Sequence, residues 1–294
     1  MATLVVMAAG MGSRFGGLKQ MTGFGPNGEI LMEYTAADAA RNGFDRCVFI
    51  IKPEMEQNLE QLIGGRLRSL MDVRYAHQDF SSLPDWFDLP CDRVRPYGTV
   101  HAALCAEEYV DDAFIILNAD DFYGEDAFSA MSRQLPLLGE NEAAMAGYKL
   151  GNTLSRHGGV TRGVCRLEGG YLAGVEEHRG LMRDETGVIR DRDNPRRTFP
   201  DDATVSMNFW GFRKEIFSGM QAYFEEFLRV LPEGDLFGEC LLPRMVNHMA
   251  QEHGLRVRAV PTDSGWFGVT YQEDSPYVKE ELLRLTREGK CRGL

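Results

Sequence analysis

The feature that most constrains this fold is an abrupt change from apolar residues to glycines near the start of the chain. The run Leu4–Met7 has the length and composition of a buried strand, and glycines follow it at positions 10, 12, 16 and 17. Glycine lets backbone N–H groups approach an anion without interference from a Cβ, while Arg14 and Lys19 add positive charge. The pattern predicts either a polyphosphate-binding loop or an ordinary glycine-rich turn in an α/β sheet.

Two common phosphate-binding motifs are excluded by the spacing of these glycines. Gly10, Gly12 and Gly16 miss the dinucleotide pattern G-x-G-x-x-G by one residue, and no G-K-[ST] follows at the distance of a P-loop. Beyond the loop, strand-like and helix-like segments alternate as far as residue 77. This alternation predicts parallel strands with helices packed on the faces of the sheet.

The segment Ala8–Arg14, A-A-G-M-G-S-R, followed by Lys19, resembles the signature of nucleotidyltransferases that join an NTP to a sugar 1-phosphate or a similar phosphorylated alcohol. The resemblance implies that Arg14 and Lys19 are catalytic cations that screen the phosphates. Lys19 follows Arg14 by only five positions, and Leu18 stands where many sugar-nucleotide enzymes have proline, so the loop leaves the substrate open. The nucleotide-binding residues implied here are Ala8, Ala9, Gly10, Met11, Gly12 and Ser13.

A second motif, Gly98-Thr99, stands at the entrance of a segment with helical spacing. Threonine is a common helix N-cap, and that role alone would explain Thr99. The motif is also similar to the family segment that lies against the nucleotide base, so the resemblance adds Gly98 and Thr99 as base-contact residues. For His101, a packed helix histidine is the expected role.

An acidic pair, Asp120 and Asp121, directly follows a buried apolar run that begins at Ala113. Ligand sites in open α/β sheets lie at the carboxyl ends of the strands. An NTP is handled as a magnesium complex, and Mg²⁺ prefers carboxylate oxygen, so we expect Mg²⁺ as the cofactor. The resemblance aligns Asp120 with the family's metal-binding aspartate, and the alternative is a pair of solvated turn aspartates.

The second metal-binding aspartate of the family does not have a counterpart at the corresponding position. The resemblance implies a W-x-D-x-G segment, and Gly268 stands where its aspartate would be. Asp263 is the nearest substitute as a metal ligand, with Asp274 behind it. The identity of the second ligand therefore stays open.

The acceptor-binding residues are expected in the second half of the chain. The segment Tyr171–His178 resembles a family strand that ends in an acidic residue contacting the sugar, which gives Glu177 as the candidate and Glu176 as the fallback. The segment Ala203–Phe212 resembles a strand whose asparagine contacts the sugar, which gives Asn208. Residues 179–202, rich in Arg and Asp, are expected to form a mobile surface loop.

The resemblance spans nearly the whole chain and implies a single α/β domain over residues 1–294 with a Rossmann-like nucleotidyltransferase fold. Its central sheet is expected to be mostly parallel, with helices on both faces and a smaller β-rich acceptor-binding region. Residues 1–150 would bind the nucleotide, and residues 151–294 would bind the acceptor.

Charge and cysteine content restrict the environment of the protein. A net charge of −12 argues against nucleic acid and anionic membranes as partners, because both require basic patches. Six cysteines without C-x-x-C pairs are expected to be free thiols. The first apolar run is too short for a signal peptide or a membrane helix, so we expect a cytoplasmic protein, with homo-oligomerisation left open.

The function implied by the resemblance is transfer of NMP from an NTP to a phosphorylated acceptor, most simply a sugar 1-phosphate, with release of pyrophosphate. The short Arg14-to-Lys19 spacing and Gly268 also permit a cytidylyltransferase for a small phosphorylated alcohol such as phosphocholine. Gly268 further permits a catalytically silent, nucleotide-binding regulatory protein. A glycosyltransferase of related fold would be expected to carry D-x-D, which Asn118-Ala-Asp120 does not match.

Overall fold

The computed structural model describes residues 2–12, 23–155, 158–268, 275–289 and 291–292 of the 294-residue chain. Two halves of different architecture contribute to one large sheet. The first half alternates strands with helices, and the second half is dominated by a hairpin and short strands.

The first half contains the elements expected of a parallel α/β sheet. Its strands are β1 (Ala2–Met7), β2 (Phe44–Ile51), β3 (Asp72–His77), β4 (Ala113–Asn118), β5 (Asp121–Phe122) and β6 (Glu142–Lys149). Its helices are α1 (Leu31–Arg41), α2 (Glu56–Leu59), α3 (Gly65–Leu67), α4 (Thr99–Cys105) and α5 (Glu125–Gln134). A π-helical turn, Glu60–Gly64, joins α2 to α3 and ends at the Gly64-Gly65 pair that interrupts the helical pattern in the sequence.

The second half begins with a long hairpin. Its strands are β7 (Val160–Glu168), β8 (Tyr171–Arg183), β9 (Ile189–Arg190), β10 (Thr198–Phe199), β11 (Thr204–Arg213), β12 (Arg256–Thr262) and β13 (Phe267–Gly268). Its helices are α6 (Ile216–Val230), α7 (Leu242–Glu252) and α8 (Ser275–Arg287). Residues 179–202, expected to form a mobile surface loop, therefore hold the end of β8 together with β9 and β10, so the segment is not a loop throughout.

The main sheet is mixed, so the expectation of a mostly parallel sheet is not confirmed. Its strand order is β10-β9-β8-β12-β6-β11-β4-β1-β2-β3, with β7 paired to both β11 and β8. Parallel pairing joins β3, β2, β1 and β4 and also joins β6 to β12, whereas β11 runs antiparallel between β4 and β6. Strands β7 to β10 are antiparallel because they follow one another through short turns, which a parallel arrangement cannot use.

Helices cover both faces of the sheet, as the sequence predicted. Side chains alternate along β1, so that Leu4 and Val6 enter one apolar cluster and Val5 enters the other. The first cluster is packed by α1, α2, α3 and α5, and the second by α4, α6 and α7. A third, smaller cluster joins Val278 and Leu282 of α8 to Phe122 of β5 and Phe267 of β13.

Two further features of the fold are the state of its cysteines and the length and polarity of its helices. Each of the six cysteines is a free thiol. Within the part of the chain that the structure describes, every helix is too short or too polar to cross a lipid bilayer.

Candidate functional site

The predicted nucleotide motifs meet at one edge of the sheet, where the parallel strands β1, β2, β3 and β4 have their carboxyl ends. The last residue of β1, Met7, pairs with Asn118 at the end of β4. The backbone N–H of Ala8 donates to the carbonyl of Ile50 at 2.8 Å, and that of Ala119 donates to the carbonyl of Met7 at 3.3 Å. The start of the glycine segment is thereby fixed beside the acidic pair that follows β4.

The glycine segment leaves β1 as a single 3₁₀ turn, Ala9–Gly12, which includes Met11. Ala8 and Ala9 are buried under the sheet edge, whereas Gly10 is exposed. A methyl group added at Gly10 would meet no described atom within 4 Å, so packing against the described residues does not demand glycine there. Space for a ligand beside the backbone is a reason for glycine that this geometry allows.

Three of the predicted loop residues, Ser13, Arg14 and Lys19, lie outside the described residues. Their contacts with the phosphates therefore stay predictions.

Gly98 and Thr99 lie at the same sheet edge, because Gln78, which follows β3, donates its amide Nε2 to the carbonyl of Gly98 at 3.0 Å. Gly98 has a φ of +88°, and a Cβ added there would stand 2.7 Å from the carbonyl oxygen of Cys240. Thr99 is the first residue of α4, and its hydroxyl accepts a hydrogen bond from the N–H of Leu242 at 2.7 Å. The pair is thus held against the segment that precedes α7, a contact that the sequence did not reveal.

His101 is a packed helix residue, as expected. Its Nδ1 accepts from the N–H of Tyr97 at 3.2 Å, which leaves Nε2 to donate to the hydroxyl of Ser82 at 2.8 Å. The ring stacks on Phe224 with centroids 5.2 Å apart. Burial lowers the pKa of His101 to about 4, so the neutral imidazole is the form that this packing holds.

The acidic pair is asymmetric. Asp120 is half-buried, whereas Asp121 is buried and accepts hydrogen bonds from Asn118 Nδ2 at 2.9 Å and from the hydroxyl of Tyr123 at 3.1 Å. Burial, reinforced by the charge of Asp120, raises the pKa of Asp121 to about 8. The pair therefore carries less than two full negative charges near neutral pH.

Gly268, the position at which the sequence resemblance leads us to expect a second metal aspartate, lies directly against this pair. It belongs to β13, which runs antiparallel to β5 and pairs Gly268 with Asp121. A Cβ at position 268 would overlap the Oδ1 atom of Asp121. The carboxylate of Asp121 thus fills the space that a side chain at 268 would need.

Asp263, the substitute metal ligand suggested by the sequence, lies in different surroundings. Its carboxylate is exposed and forms an ion pair with the ammonium of Lys149 at 2.5 Å. It lines a cleft of about 1200 Å³ that is also bounded by Asn152 and Arg183 but not by Asp120. Its role as a metal ligand stays a prediction, and the ion pair with Lys149 weighs against it.

The chemistry of the donors at Asp120 fits a magnesium ion bound together with its substrate. Among the described residues, no cluster of three or more His, Cys, Asp or Glu side chains forms a cation site by itself. Mg²⁺ usually keeps several waters and is held by one or two carboxylates plus substrate phosphates, so a complete cage of protein ligands is not required. Asp120 would hold such an ion against the triphosphate.

Asn208 is joined to the acidic pair by a chain of amide hydrogen bonds. It has a φ of +58°, unlike any other non-glycine residue described, and it lies where the pairing of β11 with β6 shifts register. Its Nδ2 donates to Asn118 Oδ1 at 2.8 Å, and its Oδ1 accepts from the indole N–H of Trp210 at 2.8 Å. Because Asn118 also donates to Asp121, the predicted acceptor residue and the predicted metal site share one network.

Asn118 was missed as a candidate by the sequence reasoning. The available signal was an amide at the last position of a buried strand, directly before the acidic pair. A polar side chain there needs partners, and the partners turn out to be Asp121 and Asn208.

Glu177 lies farther from this network. It is exposed on β8, where its Oε1 accepts from Arg179 Nε at 3.3 Å. It pairs with Gly163 of β7, which in turn pairs with Ser206 of β11, two positions before Asn208. The fallback residue, Glu176, is occupied by a bidentate ion pair with Arg197.

The family model described as nucleotidyl transferase matches residues 3–167, more than half of the chain. No curated protein matches the sequence.

Solved structures with a similar fold cover nearly the whole chain at low sequence identity. One, assigned as a glucose-1-phosphate thymidylyltransferase from Bacillus anthracis in complex with sucrose, has a TM-score of 0.62 and 14% identity, covering 96% of this chain and 95% of its own. The inositol-1-phosphate CTP transferase from T. maritima has a TM-score of 0.60 and 13% identity, covering 95% and 97%. A UDP-glucose pyrophosphorylase complexed with UDP-glucose has a TM-score of 0.59 and 14% identity, covering 97% and 99%. At this level of identity the likeness establishes the fold.

Proposed function

Because the chain belongs to the nucleotidyl transferase family, we propose that it transfers NMP from an NTP to a sugar 1-phosphate and releases pyrophosphate. The observation that carries this proposal is the meeting of three motifs at one sheet edge: the glycine segment after β1, the acidic pair after β4, and Gly98-Thr99 beside Gln78. These motifs lie far apart in the sequence.

The reaction is an in-line displacement at the α-phosphorus. An oxygen of the acceptor phosphate forms the new P–O bond while the bond to the bridging oxygen of the leaving group breaks, and pyrophosphate carries away the electron pair. Such chemistry needs positioning and charge neutralisation and does not require a side-chain nucleophile. Mg²⁺, when bound at Asp120, would neutralise charge on the phosphates.

The residues of the chain divide between the two substrates. The backbone of Ala9–Gly12 would receive the phosphates, Arg14 and Lys19 would screen them, and Gly98 with Thr99 would contact the base. Asn208 would contact the acceptor. Its Nδ2 donates a hydrogen bond of 2.8 Å to Asn118 Oδ1, and this bond supports the role because it fixes the orientation of the Asn208 amide. Glu177 would approach the sugar from the β7–β8 hairpin.

The proposal is tested by measuring pyrophosphate release in the presence of Mg²⁺. The four NTPs and dTTP are combined with a panel of sugar 1-phosphates, phosphocholine, and inositol 1-phosphate. We expect turnover that requires both an NTP and a sugar 1-phosphate. Turnover with phosphorylated alcohols alone would instead support the cytidylyltransferase alternative, and pyrophosphate release without any acceptor would contradict transfer.

A catalytically silent nucleotide-binding protein is the second candidate, because no free carboxylate for a second metal ligand is found at position 268 or at Asp263, and Asp274 lies outside the described residues. Position 268 is glycine packed on Asp121, and Asp263 is paired with Lys149. Calorimetry separates the two candidates. NTP binding that Mg²⁺ leaves unchanged, without product from any acceptor, would favour the silent protein.

A further inference from the structure

Arg93 is a buried cation in the irregular segment between β3 and α4. Its side chain has no exposed surface, which is unusual for an arginine without an enclosing set of carboxylates. Sequence reasoning did not single it out. Its surroundings show why a guanidinium is held there.

The guanidinium of Arg93 binds backbone carbonyls of two separate segments. On its own segment, Nε donates to the carbonyl of Arg95 at 2.8 Å and Nη2 donates to that of Pro96 at 3.2 Å. Across from it, Nη2 donates to Gly238 at 2.7 Å and Nη1 donates to Asp235 at 3.3 Å. The same guanidinium lies over the ring of Tyr97, 3.6 Å from its centroid.

The two segments continue side by side to the predicted base-contact residues. The N–H of Cys240 donates to the carbonyl of Tyr97 at 2.8 Å, and the N–H of Val100 donates to the carbonyl of Cys240 at 3.0 Å. The N–H of Leu242 then donates to the hydroxyl of Thr99 at 2.7 Å. Gly98 is enclosed between these bonds, with no room for a Cβ beside Cys240.

We propose that Arg93 is a positioning residue for nucleotide recognition, which fixes Gly98 and Thr99 through the paired segments 95–99 and 235–242. We call Arg93 and these two segments the Arg93 clamp. The inference rests on the proposed function, because it assumes that Gly98 and Thr99 contact the base. It adds that the base site is shaped by residues from the second half of the chain.

The choice of arginine supports positioning over simple packing. An apolar side chain could fill the same volume without the cost of desolvating a charge. A guanidinium supplies several N–H donors at fixed angles, whereas a lysine ammonium supplies a single point of attachment. Only the planar group can bind Arg95, Pro96, Asp235 and Gly238 at the same time.

The test compares Arg93→Lys with Arg287→Lys, because Arg287 is an exposed arginine at the end of α8 and lies outside the clamp. Binding of each NTP is measured by calorimetry, and KM and kcat are measured with the preferred NTP and acceptor. For Arg93→Lys we expect NTP affinity to fall about tenfold, discrimination among the NTPs to narrow, and KM for the acceptor to stay within about twofold. Arg287→Lys should match the wild type.

A second variant keeps the test valid if Arg93→Lys does not fold. Asp235 Oδ1 accepts from the N–H groups of Phe237 and Gly238 at 2.6 Å each and lies 3.8 Å from Nη1 of Arg93, so Asp235→Ala loosens the far segment and removes the carboxylate paired with the guanidinium, while Arg93 itself is kept. It should weaken NTP binding in the same direction, with the exposed Glu233→Ala as its control.

The outcomes separate this inference from the proposed function. Unchanged NTP affinity and selectivity in folded Arg93→Lys or Asp235→Ala, with only a lower melting temperature, would overturn the clamp while leaving the proposed function intact. A wild-type protein that binds no NTP would overturn both.

Discussion

Gly10 and Gly98 are both glycines of the predicted nucleotide site, yet the structure requires glycine only at Gly98. At Gly98, the positive φ and the carbonyl of Cys240 exclude any side chain, whereas a methyl at Gly10 meets no described atom within 4 Å. A left-handed conformation costs a non-glycine residue roughly 1–2 kcal/mol, before any steric overlap is added. Gly98 is therefore a structural glycine, whereas the role of Gly10 would be to leave room for a ligand.

We predict opposite results for alanine at these two positions. Gly98→Ala should lower the free energy of unfolding by about 2 kcal/mol or more, because strain and overlap act together. Gly10→Ala should change it by less than about 0.5 kcal/mol and should weaken NTP binding roughly tenfold. Urea unfolding and calorimetry measure both quantities. A Gly10→Ala protein with wild-type NTP affinity would contradict the assigned phosphate site.

His101 makes the stability of the fold depend on pH. Its pKa is lowered from 6.5 to about 4 in the folded protein, chiefly by burial. Between these values the unfolded chain binds the proton more readily, so stability is full above pH 6.5 and is lost as the pH falls towards 4. The shift corresponds to about 3 kcal/mol.

His101→Gln should therefore reduce the loss of stability between pH 7 and pH 4.5, although it lowers stability at pH 7 by disturbing the stack on Phe224. Urea unfolding at the two pH values measures the change, with the exposed His253→Gln as the control. An equal loss of stability between pH 7 and pH 4.5 in wild type and His101→Gln would show that a different group is responsible for the loss of stability at acid pH.

At the scale of elements, the strand pair β5–β13 leaves no room for a side chain at position 268, where the resemblance predicts a metal-binding aspartate. The pair sets Gly268 opposite Asp121, whose carboxylate occupies the adjoining space. The sequence singled out Gly268 but could not reveal its partner, because the partner is defined by the register of two short strands.

An aspartate introduced at position 268 should destabilise the folded protein unless Asp121 is also replaced. We expect Gly268→Asp to lower the free energy of unfolding by about 1–3 kcal/mol, through overlap and like charge. Asp121→Gly combined with Gly268→Asp should recover most of this loss, a non-additive result measured by urea unfolding of both single variants and the double variant. Additive losses would mean that the two positions do not compete for space.

Helix α7 shows how a local pattern is overruled by a distant contact. The residue pattern between positions 235 and 253 is typical of a helix, but α7 begins at Leu242 with Pro243 in its first turn, where proline is tolerated. The preceding residues are held as a loop by Arg93 and Thr99, which lie about 140 positions away in the chain. Helical periodicity carries no information about such contacts.

The site residues differ in how far the sequence could predict them. Asp120 and the start of the glycine segment follow buried strands, and parallel pairing brings strand ends together, so their proximity follows from pattern alone. The bulge in β11 sets the position of Asn208, and through it the hydrogen bonds that link Asn208, Asn118 and Asp121. The mixed sheet depends in turn on β11 lying between β4 and β6. Neither the bulge nor the strand order leaves a periodic signal in the sequence.

At the scale of the whole molecule, the strands of the two halves are interleaved in one sheet. Strand β11 lies between β4 and β6, and β6 has β11 and β12 as its neighbours. A division at residue 150 would expose one edge of β4 and both edges of β6. We therefore propose that the chain folds as a single cooperative unit, and the sheet order supports this.

The fragment 1–150 should fail to fold, because its sheet would lose these antiparallel partners and expose unpaired backbone. The full chain should unfold in a single thermal transition that is the same by far-UV and near-UV circular dichroism. A soluble 1–150 fragment with its own cooperative melting transition would show that the nucleotide half is an independent domain.

The central claim is that the carboxyl edge of this sheet transfers a nucleotide, with Asp120 as the residue that would hold the metal. The most direct measurement follows NTP and sugar 1-phosphate by mass spectrometry in wild type, Asp120→Asn and Asp112→Asn, the last changing an exposed aspartate just before β4, at its opposite end. We predict one nucleotide-linked sugar retaining the acceptor phosphate for each pyrophosphate released. Asp120→Asn should lower kcat/KM by about 100-fold or more, and Asp112→Asn should lower it by no more than about twofold. An NTP consumed without a joined product, or an Asp120→Asn variant as active as wild type, would contradict the account.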